Sequence, residues 1–305
     1  MNTKRIVGDA IIYVILAVMS VIWLAPIAWL VLQSFGVSGG QADKMLFIPS
    51  TFGFQNYEGL FINKFWTGSA FSTKFERSYA LFPYTMPSGE VLLGSFLNTL
   101  IVAAGTMVLS TFLTLMTAYG LSRLRFRGRQ LIMRICLIMG MFPGFLGVMI
   151  LYWMFRGLGI PMSHFTLILV YSAGAGAGYY IAKGFFDTIS KQIDEAAMID
   201  GATRFQIFYK ITLPLAKPIV VYQALTAFMG PWGEYITANY FIRGQAQYMT
   251  VAPQLYAIIT GTIDASDYWG WFCAASVIIA IPVSILFVFM QKYYVSGVTG
   301  GSVKG

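Results

Sequence analysis

Six runs of mainly apolar residues, each long enough to cross a bilayer, restrict what this chain can fold into: 10–32, 92–121, 131–155, 165–186, 218–242 and 269–290. A spanning helix needs about 20 such residues, and inside lipid only helices or closed barrels satisfy every backbone N–H and C=O. The runs predict an all-α integral membrane protein with six transmembrane helices. Composition points the same way. Hydrophobic residues make up 57% and charged residues 10%, against about 25% charged in a soluble domain. So little charge cannot clothe a water-facing surface. The first run follows Lys4 and Arg5, as a signal peptide would. Its apolar core exceeds the roughly 7–15 residues of a signal h-region, and no small-residue cleavage site follows closely, so it is read as a retained helix.

The net charge of +8 raises the question of nucleic acid. The basic residues sit at the ends of apolar runs, which is a membrane-orientation pattern and argues against a nucleic-acid partner. With the N-terminus in the cytoplasm, the outer face holds Lys44, Lys64, Lys74, Arg77, Arg156 and Arg243, leaving 14 of the 20 Lys and Arg inside. Arg123, Arg125, Arg127 and Arg129 crowd one inner turn. Both termini are therefore expected in the cytoplasm. The outer segment 36–91 carries Phe47, Phe52, Phe54, Tyr57, Phe61, Phe65 and Trp66, enough for a small aromatic core. A second outer segment spans about 243–268. Cys136 and Cys273 lie inside apolar runs, so no disulfide framework is expected. His164, the single histidine, cannot build a metal site and is read as a satisfied or interfacial residue. The organisation expected is a helix plus outer loop over 1–91, a helical membrane domain over 92–295 that includes the inner connection 187–217, and a tail over 296–305.

The inner connection 187–217 carries the most local information. Ser190 can cap a first short helix, with Asp194 and Glu195 early, where carboxylates favour the positive helix end. Gly201 suits the stop, where φ > 0 is needed. Thr203 with Gln206 forms a capping box that restarts the chain. Phe205, Phe208 and Ile211 recur at helical spacing and predict one apolar face. Pro214 is expected to end the second helix. Such a pair of helices either lies in the lipid interface or docks into a groove on a soluble partner.

Glu195, Ala196, Ala197, Gly201, Ile211, Leu213 and Pro214 match the pattern E-A-A-x3-G-x9-I-x-L-P without a gap. This resembles the coupling motif of permease subunits of binding-protein-dependent ABC importers. The stretch 98–127, ending AYGLSRLRFRG, and the tail QKYYVSGVTGGSVKG are similar to the maltose/maltodextrin-type carbohydrate permeases. The resemblance implies the type I importer (MetI-like) fold in a bacterial cytoplasmic membrane, and a sugar cargo such as a maltodextrin. It implies a second permease, an ATPase dimer and an extracellular or periplasmic sugar-binding protein as partners, besides membrane lipid. It places Glu195, Ala196, Ala197, Asp200, Gly201, Phe205, Phe208, Ile211, Leu213 and Pro214 at the ATPase, and the tail residues Gly297, Gly300, Gly301, Lys304 and Gly305 at the ATPase dimer interface. Those tail glycines are expected on an extended path.

The chain contains no Gly-Lys dipeptide, so it lacks the P-loop G-x4-G-K-[S/T]. No cofactor is expected on this chain, and it is not expected to be an enzyme; ATP and Mg belong to the partner ATPase. Gly174 and Gly178 make a small-xxx-small pair for close helix packing, with Gly176 between them. Breaks are expected at Met141–Gly144 and Gly230–Tyr235, and broken helices often line a pathway. Glu234 is the one acidic residue inside the six runs, which marks it as a functional candidate. Trp232 and Tyr235 would offer flat faces to a sugar ring beside that carboxylate. The competing reading puts Glu234 near the outer interface, roughly 24 Å above Pro218. The rival functions are a permease of the same class for another solute, a stand-alone secondary transporter, and a membrane scaffold. A secondary transporter would usually carry several intramembrane charges.

Overall fold

A computed structural model gives the architecture; it describes residues 3–37, 48–61, 81–85, 91–141, 143–173, 178–242, 245–260 and 269–300. Phe47, Phe65, Trp66, Phe142, Gly174, Gly176, Arg243, Gly301, Lys304 and Gly305 lie outside the described residues. The chain divides into two units, one of residues 1–76 with 255–280 and one of residues 77–254 with 281–305.

In the first unit, α1 (Thr3–Ser34) contains a 27-residue apolar stretch, Gly8–Ser34, whose most apolar window buries none of its residues within the chain. A helix apolar all round is a surface for lipid or for other membrane helices. After it, Asn56 on α2 (Gln55–Phe61) donates from Nδ2 to the carbonyls of Ser34 and Gly36. Phe35 packs on Phe54 and Tyr57 at centroid distances of 5.5 and 5.1 Å, while Phe52 stays exposed. The expected aromatic core is thus a small cluster over the end of α1. Trp29 meets Trp269 at 5.6 Å.

The second unit is built around α3 (Gly94–Arg123), entered from a short antiparallel pair, β1 (Tyr84–Thr85) and β2 (Val91–Leu92). The buried face of α3 is mostly small or polar (Asn98, Thr99, Val102, Ala103, Thr106, Ser110, Thr114 and Ala118), with Leu115, Tyr119 and Leu121 buried toward its end. Small side chains let helices approach closely where lipid gives no hydrophobic push between them. A Cβ on Gly105 would sit 2.5 Å from Ile168, and one on Gly178 would sit 2.8 Å from Gln223. Such a clash at Gly178 supports the close-packing role read for it. His164 Nε2 lies 3.0 Å from Asn98 Oδ1, a satisfied histidine as expected.

The third and fourth runs are helices in two pieces. The third is α4 (Arg129–Gly140) and α5 (Gly144–Gly157), meeting at 102° across the expected break at Pro143. The fourth is α6 (His164–Ala173) and α7 (Gly178–Thr188), at 53°. Next come α8 (Lys191–Ile199) and α9 (Arg204–Gln206), which widens into a π-helical turn (Ile207–Thr212) and returns to α geometry in α10 (Leu213–Leu215). The fifth run is α11 (Lys217–Gly233) followed, after Glu234 and Tyr235, by α12 (Ile236–Ile242). Inside the second outer segment, which had no helix assigned to it, stand a 3-10 turn (Ala246–Tyr248) and α13 (Val251–Thr260). The last helix, α14 (Trp269–Gly300), contains an apolar stretch to Gln291. It runs through Gly297 to Gly300, so this part of the tail is helical where an extended path was expected. Counting single helices and bent pairs gives three to six membrane spans among the described residues.

Candidate functional site

The loop 187–217 folds as its local chemistry dictates. Ser190 accepts from the backbone N–H of Gln192 and starts α8. Gly201, at φ +82°, ends it. The N–H of Gly201 donates to the carbonyl of Met198, and that of Ala202 to the carbonyl of Ala197, at 3.1 and 2.9 Å. These paired bonds form the Schellman arrangement, which satisfies the last carbonyls of a helix only if the residue at the turn is left-handed. The capping box is present: Gln206 N–H donates to Thr203 Oγ1, and Thr203 N–H to Gln206 Oε1.

One expectation changes. The second helix does not stop at Pro214. Its hydrogen bonding passes around the proline, with Ala216 N–H donating to the Thr212 carbonyl at 2.9 Å. The π-helical turn just before it loosens the coil where the pyrrolidine ring would otherwise strike the preceding carbonyls. The direction changes at Ala216, where α9–α10 and α11 meet at 87°. The burial of Phe205, Phe208 and Ile211 is unequal, although the rings of Phe205 and Phe208 lie 6.4 Å apart. Phe208 is buried against Tyr119 at 4.9 Å, Ile211 is half-buried, and Phe205 is 58% exposed.

The C-terminal end of α3 fastens the loop. Arg123 Nε lies 3.1 Å from Asp194 Oδ2, their side chains 1% and 5% exposed. Arg123 Nη2 donates to the carbonyl of Ile189 at 2.9 Å. Ser122 Oγ donates to Asp187 Oδ1 at 2.6 Å, and Lys183 pairs with the other oxygen of Asp187. Tyr119 donates to the carbonyl of Arg204 and packs on Phe186 and Phe208. One helix end therefore grips both limbs of the loop.

The opposite side of the loop is bare. Ile199 is 88% exposed, and Phe205, Tyr209, Glu195, Ala196 and Asp200 are exposed around it, whereas Ala197 is buried. Leu213 is half-buried and Pro214 exposed. Ile199, Arg123 and Asp194 are functional candidates that sequence reasoning passed over. For Ile199, the one available signal was a bulky apolar residue at the end of a short helix, next to the turn at Gly201.

Glu234 sits in the break between α11 and α12. Its carboxylate accepts from the backbone N–H of Thr237 and Ala238, capping α12, and from the hydroxyl of Tyr171 at 3.0 Å. Trp232 is buried between Phe96 and Phe228. Glu234 and Tyr235 are half-buried.

The arrangement is a helical chain with three to six candidate membrane spans and a loop fastened on one side and exposed on the other. The chain belongs to the family described as "Binding-protein-dependent transport system inner membrane component", which matches residues 110–300. It is 32% identical over 306 residues to the galactooligosaccharides transport system permease protein GanQ of Bacillus subtilis (strain 168), covering 100% of this chain and 99% of that one. It is also 32% identical over 304 residues to the maltodextrin transport system permease protein MalD of Streptococcus pneumoniae, covering 99% and 98%. The maltose/maltodextrin transport system permease protein MalG of Vibrio vulnificus (strain YJ016) is 36% identical over 216 residues, covering 68% and 71%. Among solved structures, a chain of a bacterial ABC transporter involved in the import of the polysaccharide alginate superposes with a TM-score of 0.74 at 22% identity, covering 96% of this chain and 99% of that one. The fold is that of an ABC importer permease.

Proposed function

We propose that this chain is the permease subunit of an ATP-driven importer that carries an oligosaccharide of the maltodextrin kind across the bacterial cytoplasmic membrane. It works with a second permease, an ATPase dimer that uses ATP and Mg, and an external sugar-binding protein. The loop 187–217, both termini and the arginine turn 123–129 face the cytoplasm. One observation carries the reading: the loop is fastened by a buried ion pair on one side and exposes Ile199 and Phe205 on the other. An apolar tip held that firmly in water is a docking surface. The sugar cargo is supported by the names of the relatives, which handle maltodextrin and galactooligosaccharides. The tail 296–305 is directed to the ATPase, with α14 continuing as far as Gly300. For the sugar path, Glu234 and Tyr235 remain the candidates, since Trp232 is enclosed by aromatic neighbours.

Ile199→Asp is expected to leave the permease inserted but to cut recovery of the ATPase subunit on the purified complex at least tenfold. Maltodextrin uptake in vesicles should fall with it. Full recovery of the ATPase with Ile199→Asp and Phe205→Asp combined would refute the docking role. Orientation is tested separately. In a background lacking Cys136 and Cys273, Ser163→Cys is expected to react with an impermeant maleimide added outside cells, and Gln192→Cys only after the membrane is opened. Equal labelling of both from outside would reverse the topology.

A further inference from the structure

Between the end of α3 and α8 lies a cleft of about 760 Å³ whose basic lining residues are Arg123, Arg125, Arg129, Lys191 and Arg204, opposed by only Asp194 and Glu195. Arg123 pairs with Asp194 through Nε, yet its Nη1 is buried without a hydrogen-bond partner, as are Nε of Arg129 and, on the acidic side, Oδ1 of Asp194. Guanidinium nitrogens without a hydrogen-bond partner beside a cavity favour an anion nearby, because leaving such donors unbonded costs stability. We propose that the cleft binds a phosphate group, and that the occupant in the membrane is the headgroup of an anionic phospholipid.

The surroundings favour a lipid over a partner protein. Leu124 and Phe126 form an exposed apolar rim on the same cleft. The next helix, α4, has no buried residue, and Leu131, Ile132 and Ile135 stand exposed along it. A headgroup held by the arginines would thus have an apolar track ready for its acyl chains. Basic pockets at the cytoplasmic ends of membrane helices suit such headgroups. The glutamate of the coupling motif, Glu195, lines the same cleft, so an anion there touches the element that meets the ATPase. The inference rests on the topology proposed above only for which leaflet supplies the lipid.

The test uses the whole transporter in nanodiscs, where both faces are open, so it does not depend on orientation. Modification by phenylglyoxal is followed at Arg125, Arg129 and Arg127 by peptide mass spectrometry. Three conditions are compared: phosphatidylcholine alone, phosphatidylcholine with phosphatidylglycerol, and phosphatidylcholine with inorganic phosphate. Modification of Arg125 and Arg129 is expected to slow at least fivefold with phosphatidylglycerol, while Arg127, which does not line the cleft, is unaffected. The same slowing with inorganic phosphate and none with the lipid would keep the phosphate chemistry and overturn the lipid source. Equal rates at all three arginines in every condition would overturn the site. So would protection that appears in phosphatidylcholine alone but only when the ATPase subunit is bound, since the cleft would then belong to that interface. Arg125→Gln combined with Arg129→Gln should also lower the phosphatidylglycerol that co-purifies with the complex at least fivefold.

Discussion

Asp194→Leu is expected to abolish coupling while the double substitution Arg123→Leu, Asp194→Leu restores much of it. The pair is almost fully enclosed, and Arg123 also holds the carbonyl of Ile189. Removing one partner leaves a buried charge without its counterion, at a cost of about 3–5 kcal/mol, whereas replacing both by apolar groups of similar volume is often neutral. The penalty falls on the seam between α3 and the loop. It should therefore appear first as proteolysis within 187–217 and as loss of sugar-stimulated ATP hydrolysis, with the helices still inserted. A drop of 1.4 kcal/mol in docking already means tenfold, so uptake by the single variants should fall well beyond that. The cycle is read in reconstituted vesicles. If Asp194→Leu alone keeps normal stimulation, the ion pair does not set the position of the loop.

The second large effect is expected at Gly201, and its chemistry can be ordered in advance. A Cβ there would meet nothing within 4 Å, so bulk is not the obstacle. The obstacle is φ +82°, which costs an ordinary L residue about 1–2 kcal/mol and a β-branched one more. Asn visits this region readily. Gly201→Asn should thus couple nearly as the wild type does. Gly201→Val should turn α9 and its Phe205 away and reduce uptake at least tenfold. A Gly201→Asn variant as impaired as Gly201→Val would show that the glycine is needed for close approach of another chain, not for its backbone angle.

Local chemistry was legible in the sequence wherever a residue acts on neighbours within one turn. Ser190, Gly201 and the Thr203–Gln206 pair behave as their types require. The breaks at Pro143 and at 234–235, just past Gly233, also fall where they were expected, although Pro26, Pro231 and Pro282 stand inside helices without ending them. What escaped depends on distant partners or on helix geometry. Arg123 reads as an orientation charge and Asp194 as a helix-dipole charge until the fold brings them together. Helical spacing groups Phe205, Phe208 and Ile211 but does not say which of them the rest of the fold covers, and the π turn at 207–212 is not visible in the spacing. Pro214 misled for the same reason. Helix α13 was hidden because its ten residues fall short of a spanning run.

The corner at Ala216 has a mechanical meaning. Two helical segments meet there at 87°, and the alanine at the vertex has no exposed surface, being sealed among Phe208, Ile219 and Tyr119. A filled corner does not fold like a hinge. The loop and α11 are thus joined by packed side chains and not by an open bend. Slack in this train of parts is found further along, at Glu234 and Tyr235, where the helical ladder is interrupted and one carboxylate holds the next segment by its first amides.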